Sequence, residues 1–182
     1  MKILLTYFKP FGLINSNSSE QVASKLDVNK IGLDVSYEKD FNKLKEEYLS
    51  GDYDFIIMLG QSAKRRFISI EKRAKNYNNP NIKDNYGTLP SELIEGGNEE
   101  YLYTSFDINK LLTDVVKESS DAGSYLCNYL YYKVLSNLTK NSLFIHLPLY
   151  SGQIEDETIP SLDLDLMVRE IKEIIKKINY EL

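Results

Sequence analysis

One cysteine and one histidine occur in the 182 residues, so any thiol–imidazole chemistry has a single assignment, Cys127 with His146. A cysteine nucleophile needs a base within hydrogen-bond reach, and the base needs a group that orients it. Cys127 follows Gly123 and opens a pattern in which Leu126, Leu130 and Val134 recur every fourth residue, with Ser119, Ser120 and Asp121 upstream as cap candidates. A thiol in the first turn of a helix sits among unpaired N–H groups and at the positive end of the dipole. That position is expected to lower its pKa, and the same N–H groups can hold a developing oxyanion. The competing reading is packing: Cys127, Leu130, Tyr131 and Val134 also trace a core-facing stripe. His146 ends the apolar run that begins at Ser142, and Glu71 follows the run from Phe67 to Ile70. Each has its own plain alternative, a satisfied core histidine and a solvated surface carboxylate.

The elements that must position these groups alternate between short apolar runs and amphipathic helical patterns, which predicts a parallel α/β sheet. Ile3 to Tyr7 reads as the first strand, and Ser18 with Gln21 as a capping box for a helix through Leu26. Leu33, Val35 and Tyr37 alternate as a half-exposed strand. Asp40 is a cap candidate for a helix with Phe41, Leu44 and Tyr48 inward, ended by Gly51. Phe55 to Leu59 is apolar throughout, as in a central strand covered on both faces. Gly60-Gln61-Ser62 then lies at the carboxyl edge, where open α/β sheets place ligand crevices. Phe67 to Ile70 reads as a strand delivering Glu71 to that edge, and residues 76–87 as a polar loop. Asp107 caps a short helix, Val115-Val116 make a brief strand, and Ser142 to His146 another buried one. Pro160-Ser161 opens a final helix with Leu164, Val168, Ile171, Ile175 and Ile178 on one face. The expected fold is a single three-layer α/β/α domain over residues 1–182 with a mostly parallel twisted sheet.

Composition narrows the function. Hydrophobic content of 42% with 27% charged residues is ordinary for a globular chain, and the net charge of -5 argues against nucleic acid or an anionic membrane as partner. A lone cysteine forms no internal disulfide and suits a reducing, cytoplasmic location. No apolar run reaches the roughly 18 residues of a membrane span. There is no phosphate-binding glycine pattern, and one His plus one Cys makes a poor metal site.

Several islands in order carry a family resemblance. They are Thr6-Tyr7-Phe8-Lys9-Pro10-Phe11-Gly12 with Asn17, Gly60-Gln61 through Arg65, and Ile68 through Glu71 to Asn76. After them come Ile82 to Gly87, Ala122-Gly123-Ser124-Tyr125-Leu126-Cys127-Asn128, Phe144-Ile145-His146-Leu147-Pro148 and Pro160-Ser161-Leu162. The chain resembles the type I pyroglutamyl peptidases, cysteine peptidases of the C15 class, over nearly its whole length. The resemblance implies Cys127 as nucleophile, His146 as base and then acid, and Glu71 as the group orienting the imidazole. It implies Phe8, Phe11 and Tyr125 as walls around a flat lactam ring, with Gln61 and Asn17 bonding the ring amide. It implies peptides with N-terminal pyroglutamate as substrates, no metal or organic cofactor, and a homodimer or homotetramer. A catalytically weak homologue that binds lactam-like ends, or an amide hydrolase of altered specificity, are the alternatives. They are motivated by departures from the family pattern, Tyr7 and Leu13 in place of two glycines and Asn81 in place of an arginine; Lys83, in place of a proline two residues later, is a candidate substitute for that arginine.

Overall fold

The computed structural model describes residues 1–12, 15–97 and 99–181. Its elements begin with β1 (Ile3–Phe8), α1 (Ser18–Ser24), β2 (Asn29–Leu33), α2 (Tyr37–Ser50) and β3 (Phe55–Gln61). Next come β4 (Ile68–Glu71), β5 (Arg73–Lys75), β6 (Tyr101–Tyr103), a 3₁₀ turn at Ile108–Leu111 and β7 (Val116–Ser119). Then follow α3 (Leu126–Asn137), β8 (Ser142–Leu147), β9 (Leu149–Tyr150), β10 (Ser161–Leu162) and α4 (Leu164–Glu181). Six strands form the central sheet in the order β2-β1-β3-β8-β4-β7. The first four in that order run parallel, and β4 runs antiparallel to β8 with β7 parallel to β4.

The apolar runs explain the layers. In β3, Phe55, Ile57 and Leu59 face a core shared with α1 and α4, while Ile56 and Met58 face a second core shared with α2 and α3. All five are fully buried, each contributing about 1.5–3 kcal/mol of transfer free energy. The sheet is therefore covered on both faces, as its parallel strands require. In α4, Met167, Val168, Ile171, Ile174 and Ile178 are buried. No helix among the described residues is long and apolar enough to cross a membrane.

Several local expectations are corrected. Leu33 ends β2, and the alternation through Val35 and Tyr37 crosses a turn, because Val35 has φ 64° and Tyr37 already starts α2. Positive φ in a β-branched residue is strained; the Asp40 carboxylate holds it by accepting the N–H groups of Asp34 and Ser36, each at 2.8 Å. Asp40 is thus a clamp within α2, and Ser36 is the N-cap. Asn17, not Ser18, caps α1, its Oδ1 accepting from Ser19 N at 2.9 Å. The final helix begins at Leu164, because Ser161 and Leu162 pair with β9; Asp163 Oδ1 accepts from Leu166 N at 2.8 Å there. The polar loop after Asn76 is irregular, as expected, yet Asn76, Asn78 and Asp84 are buried. Asn76 exchanges two bonds with the Glu95 backbone, and Asp84 accepts from the Tyr86 and Thr88 N–H groups. Carboxamides and a carboxylate replace a ladder there. The turn residues expected to cap α3 do not: Tyr125 is the N-cap, without a side-chain cap bond among the described residues.

Candidate active site

The glycine turn before α3 is built for its backbone. Gly123 has φ 87°, a conformation that glycine adopts without strain, and its N–H donates to Asp121 Oδ1 at 3.1 Å. Tyr125 lends no side-chain cap, and no side chain from outside α3 among the described residues bonds the backbone N–H groups of its first turn. Asn128, fully buried beside Cys127, accepts from Lys75 N and donates to the carbonyls of Lys75 and Tyr77, each at 2.9 Å. Those three bonds seat the start of α3 on β5.

Cys127 is half-buried, packed against the α2–α3 core. Its Sγ stands over Gly60 of β3: a Cβ placed there would lie 3.0 Å from Sγ and 2.8 Å from Phe144 Cζ. Gly60 is the register partner of His146 on β8. Burial pushes the Cys127 thiol up to about 12, the charge of Glu71 adds to the rise, and the residue's own N–H only partly offsets it. Desolvation of the thiolate opposes the depression expected from the helix start. Such surroundings favour the neutral thiol at rest. Iodoacetamide should then label Cys127 at least about 10²-fold more slowly than free cysteine at pH 7, with a rate still rising above pH 10. A labelling plateau near neutral pH would instead indicate a thiolate–imidazolium pair.

His146 is nearly fully buried and its Nδ1 lies 2.8 Å from Glu71 Oε1, itself with no exposed surface. This contact engages Nδ1 and so sets the orientation of the imidazole ring. The route by which Glu71 arrives differs from expectation. Because β4 is antiparallel to β8, Glu71 pairs with Phe144 and reaches His146 diagonally across the sheet face, not from a shared carboxyl edge. Tyr131 of α3 donates to the Glu71 carbonyl at 2.9 Å.

Arg65 completes this cluster, and its role was not read from the sequence. Its Nη2 lies 2.8 Å from the same Oε1 that His146 contacts, and also meets Ser119 Oγ at 3.0 Å and the Asp121 carbonyl at 2.7 Å. Arg65→Leu removes the neutralising cation from a buried carboxylate. The expected cost is about 2–3 kcal/mol, below the roughly 3–5 kcal/mol of a fully buried pair, since 28% of the Arg65 side chain keeps contact with water. Urea denaturation would measure it; an unchanged midpoint would remove Arg65 from this role.

Phe8, Phe11, Asn17, Gln61, Tyr125 and Cys127 line one small cavity of about 70 Å³, together with Val35 and Leu126. Phe8 ends β1 and Gln61 ends β3, so two neighbouring carboxyl-end strands supply the floor. The Tyr125 hydroxyl donates to the Lys83 carbonyl at 3.0 Å, and its ring packs edge-on to Tyr37. The Asn17 Oδ1 is occupied by the N–H and hydroxyl of Ser19. Gln61 Oε1 is likewise occupied, at 2.7 Å from both Ser18 N and Gln153 Nε2. Gln153 and Val35 are further residues that sequence reasoning missed. Asn81 is exposed and lies outside the cavity lining. Tyr7 faces the α1–α4 core, its ring against Gly32, and so stays out of the pocket. Leu13 lies outside the described residues.

Comparison with known proteins shows the family and the fold. The profile of a pyroglutamyl peptidase family matches residues 1–181. A pyrrolidone-carboxylate peptidase of Brachyspira hyodysenteriae is 31% identical over 99% of this chain and 100% of its own length. Pyrrolidone-carboxylate peptidase 1 of Caldanaerobacter subterraneus subsp. tengcongensis is 33% identical over 98% of both chains. The crystal structure of pyroglutamyl peptidase I from Bacillus amyloliquefaciens superposes with a TM-score of 0.84 at 28% identity, covering 94% of this chain and 91% of that one. That of the pyrrolidone carboxyl peptidase from Fervidobacterium islandicum gives 0.88 at 25% identity over 99% of both. The chain is an enzyme, a cysteine-type hydrolase. More narrowly, it belongs to the pyroglutamyl peptidase family.

Proposed function

We propose that the protein hydrolyses the amide bond after an N-terminal pyroglutamyl residue through Cys127, His146 and Glu71. The observation that carries this reading is the placement of the Cys127 thiol in the wall of an aromatic-lined cavity and over Gly60, the register partner of His146. A pyrrolidone ring is a neutral, planar amide, suited to the Phe8, Phe11 and Tyr125 faces and to a few fixed hydrogen bonds. His146 Nε2 takes the thiol proton as Sγ attacks the pyroglutamyl carbonyl carbon, which suits a thiol that is neutral at rest. The open N–H groups at the start of α3 hold the oxyanion; Gly123 N–H, engaged with Asp121, does not. The imidazolium, balanced by Glu71, gives its proton to the departing amine as the C–N bond breaks. Water, deprotonated by His146, then opens the thioester and releases pyroglutamate and the thiol. Gln61 offers its amide Nε2 to the ring carbonyl, and Asn17 shapes the wall.

The test is release of 4-nitroaniline from pyroglutamyl 4-nitroanilide by purified protein in reducing buffer. No release under those conditions, with a cooperative melt, would defeat the reading. The lactam-binding alternative rested partly on Asn81, whose position outside the lining weakens it. We further propose a single domain acting in the cytoplasm as a homodimer or homotetramer, which the lone cysteine and the resemblance support; light scattering would measure the assembly.

A further inference from the structure

We propose that Gln153 is a positioning residue that fixes Gln61 as a hydrogen-bond donor into the cavity, and thereby sets the preference for a ring bearing a carbonyl group. The inference rests on the pyroglutamyl reading of the cavity and adds to it the residue that determines one of its contacts. Gln153 belongs to the segment after β9, remote in sequence from Gln61, and the structure joins the two side chains at 2.7 Å.

The hydrogen-bond network decides which way each amide points. The Tyr150 N–H donates to Gln153 Oε1 at 3.0 Å, so the opposite end of that side chain is the NH₂ group. That group donates to the Ser16 carbonyl at 3.0 Å and to Gln61 Oε1 at 2.7 Å. Ser18 N–H supplies a second bond to Gln61 Oε1, also at 2.7 Å. A carbonyl oxygen has two lone pairs, and both are now used. The Gln61 NH₂ has no protein partner among the described residues and belongs to a side chain lining the cavity. Its other neighbours there include the apolar Phe8, Phe11, Val35 and Leu126; both lone pairs of Asn17 Oδ1 are taken by Ser19, and no hydrogen bond joins the Gln61 NH₂ to Tyr125 or Cys127 among the described residues. A donor in such surroundings penalises a ligand without a matching acceptor, because the donor is then left unpaired. A pyrrolidone ring carries that acceptor. A proline ring does not.

Removing Gln153 frees one lone pair of Gln61 and releases its amide to rotate. Gln153→Glu goes further, since a carboxylate accepts where the amide donated. It draws the Gln61 NH₂ toward itself and turns the carbonyl toward the ring carbonyl. The experiment compares the full-length wild type with Gln153→Leu, Gln153→Glu and Tyr150→Phe. The last breaks the Tyr150 Oη–Ser16 Oγ contact of 2.8 Å between the same loops while leaving Gln153 in place. Turnover of pyroglutamyl and prolyl 4-nitroanilides and calorimetric binding of 2-pyrrolidone are measured together. KM for the pyroglutamyl substrate and Kd for 2-pyrrolidone should rise about tenfold in Gln153→Leu and at least as much in Gln153→Glu, with kcat changed less than about threefold. The pyroglutamyl-over-prolyl ratio should fall in parallel, and Tyr150→Phe should stay within about twofold of wild type.

Unchanged KM and Kd in both Gln153 variants would overturn the proposal. So would a Tyr150→Phe effect equal to that of Gln153→Leu, which would make loop docking the cause. A wild type that turns over nothing refutes the proposed function alone, because calorimetry still reads Gln153; a wild type that binds no 2-pyrrolidone overturns this proposal as well.

Discussion

Replacing Cys127 with alanine should lower kcat for pyroglutamyl 4-nitroanilide by about 10⁴-fold or more, and His146→Ala should do nearly the same. Neither residue has a second of its kind in the chain to take over. The two variants should differ in stability. The Cys127 side chain is a single small group, so its truncation removes little packing and the melt should move by only a few degrees. His146→Ala withdraws a hydrogen-bond partner from a fully buried carboxylate oxygen and should cost about 1–3 kcal/mol. Single-turnover kinetics would add a decisive observation: wild type should form a thioester at Cys127 and Cys127→Ala none. Full activity in either folded variant would end the nucleophile–base assignment.

Gly60→Ala should lower kcat by about 10²-fold while leaving KM within a few-fold of wild type. The added methyl would lie 2.8 Å from Phe144 Cζ and 3.0 Å from Cys127 Sγ, so something must move. Phe144 is fully buried and cannot yield cheaply, which leaves the thiol as the group displaced. Overpacking of this kind costs about 1–3 kcal/mol, and a displaced nucleophile loses the alignment on which an intramolecular attack depends. The KM contacts lie elsewhere, at Phe8, Phe11, Gln61 and Tyr125. A Gly60→Ala enzyme with normal kcat and an unchanged melt would show that the space above β3 is more forgiving than the distances imply.

Much of this was legible in the sequence where one element supplies its own signal. The runs at Ile3, Phe55 and Ser142 became strands because short, mainly apolar runs need cover on both faces. The cysteine turn was legible for a similar local reason: a glycine at positive φ followed by a helical stripe. Strand direction was not. Nothing within Ile68 to Glu71 says that β4 runs against β8, since direction is decided by how the chain returns to the sheet. The Leu33–Val35–Tyr37 alternation misled because period two does not distinguish a strand from a strand end followed by a helix start. The surroundings of the thiol were not legible because they depend on β3 and β8, which come from elsewhere in the chain. Arg65 and Gln153 act through partners that only the fold brings close, Glu71 and Gln61.

Val35 marks where this protein can be made sturdier and what would be given up. A valine at φ 64° holds on the order of 1–3 kcal/mol of conformational strain, and its side chain forms part of the cavity wall. Glycine or asparagine at position 35 would relax the backbone and raise thermal tolerance, yet glycine would open the wall and asparagine would make it polar. A selection for heat resistance alone would therefore be drawn to this position, and a selection that also demands ring recognition would hold it at valine. Laboratory evolution under the two regimes should part company here first.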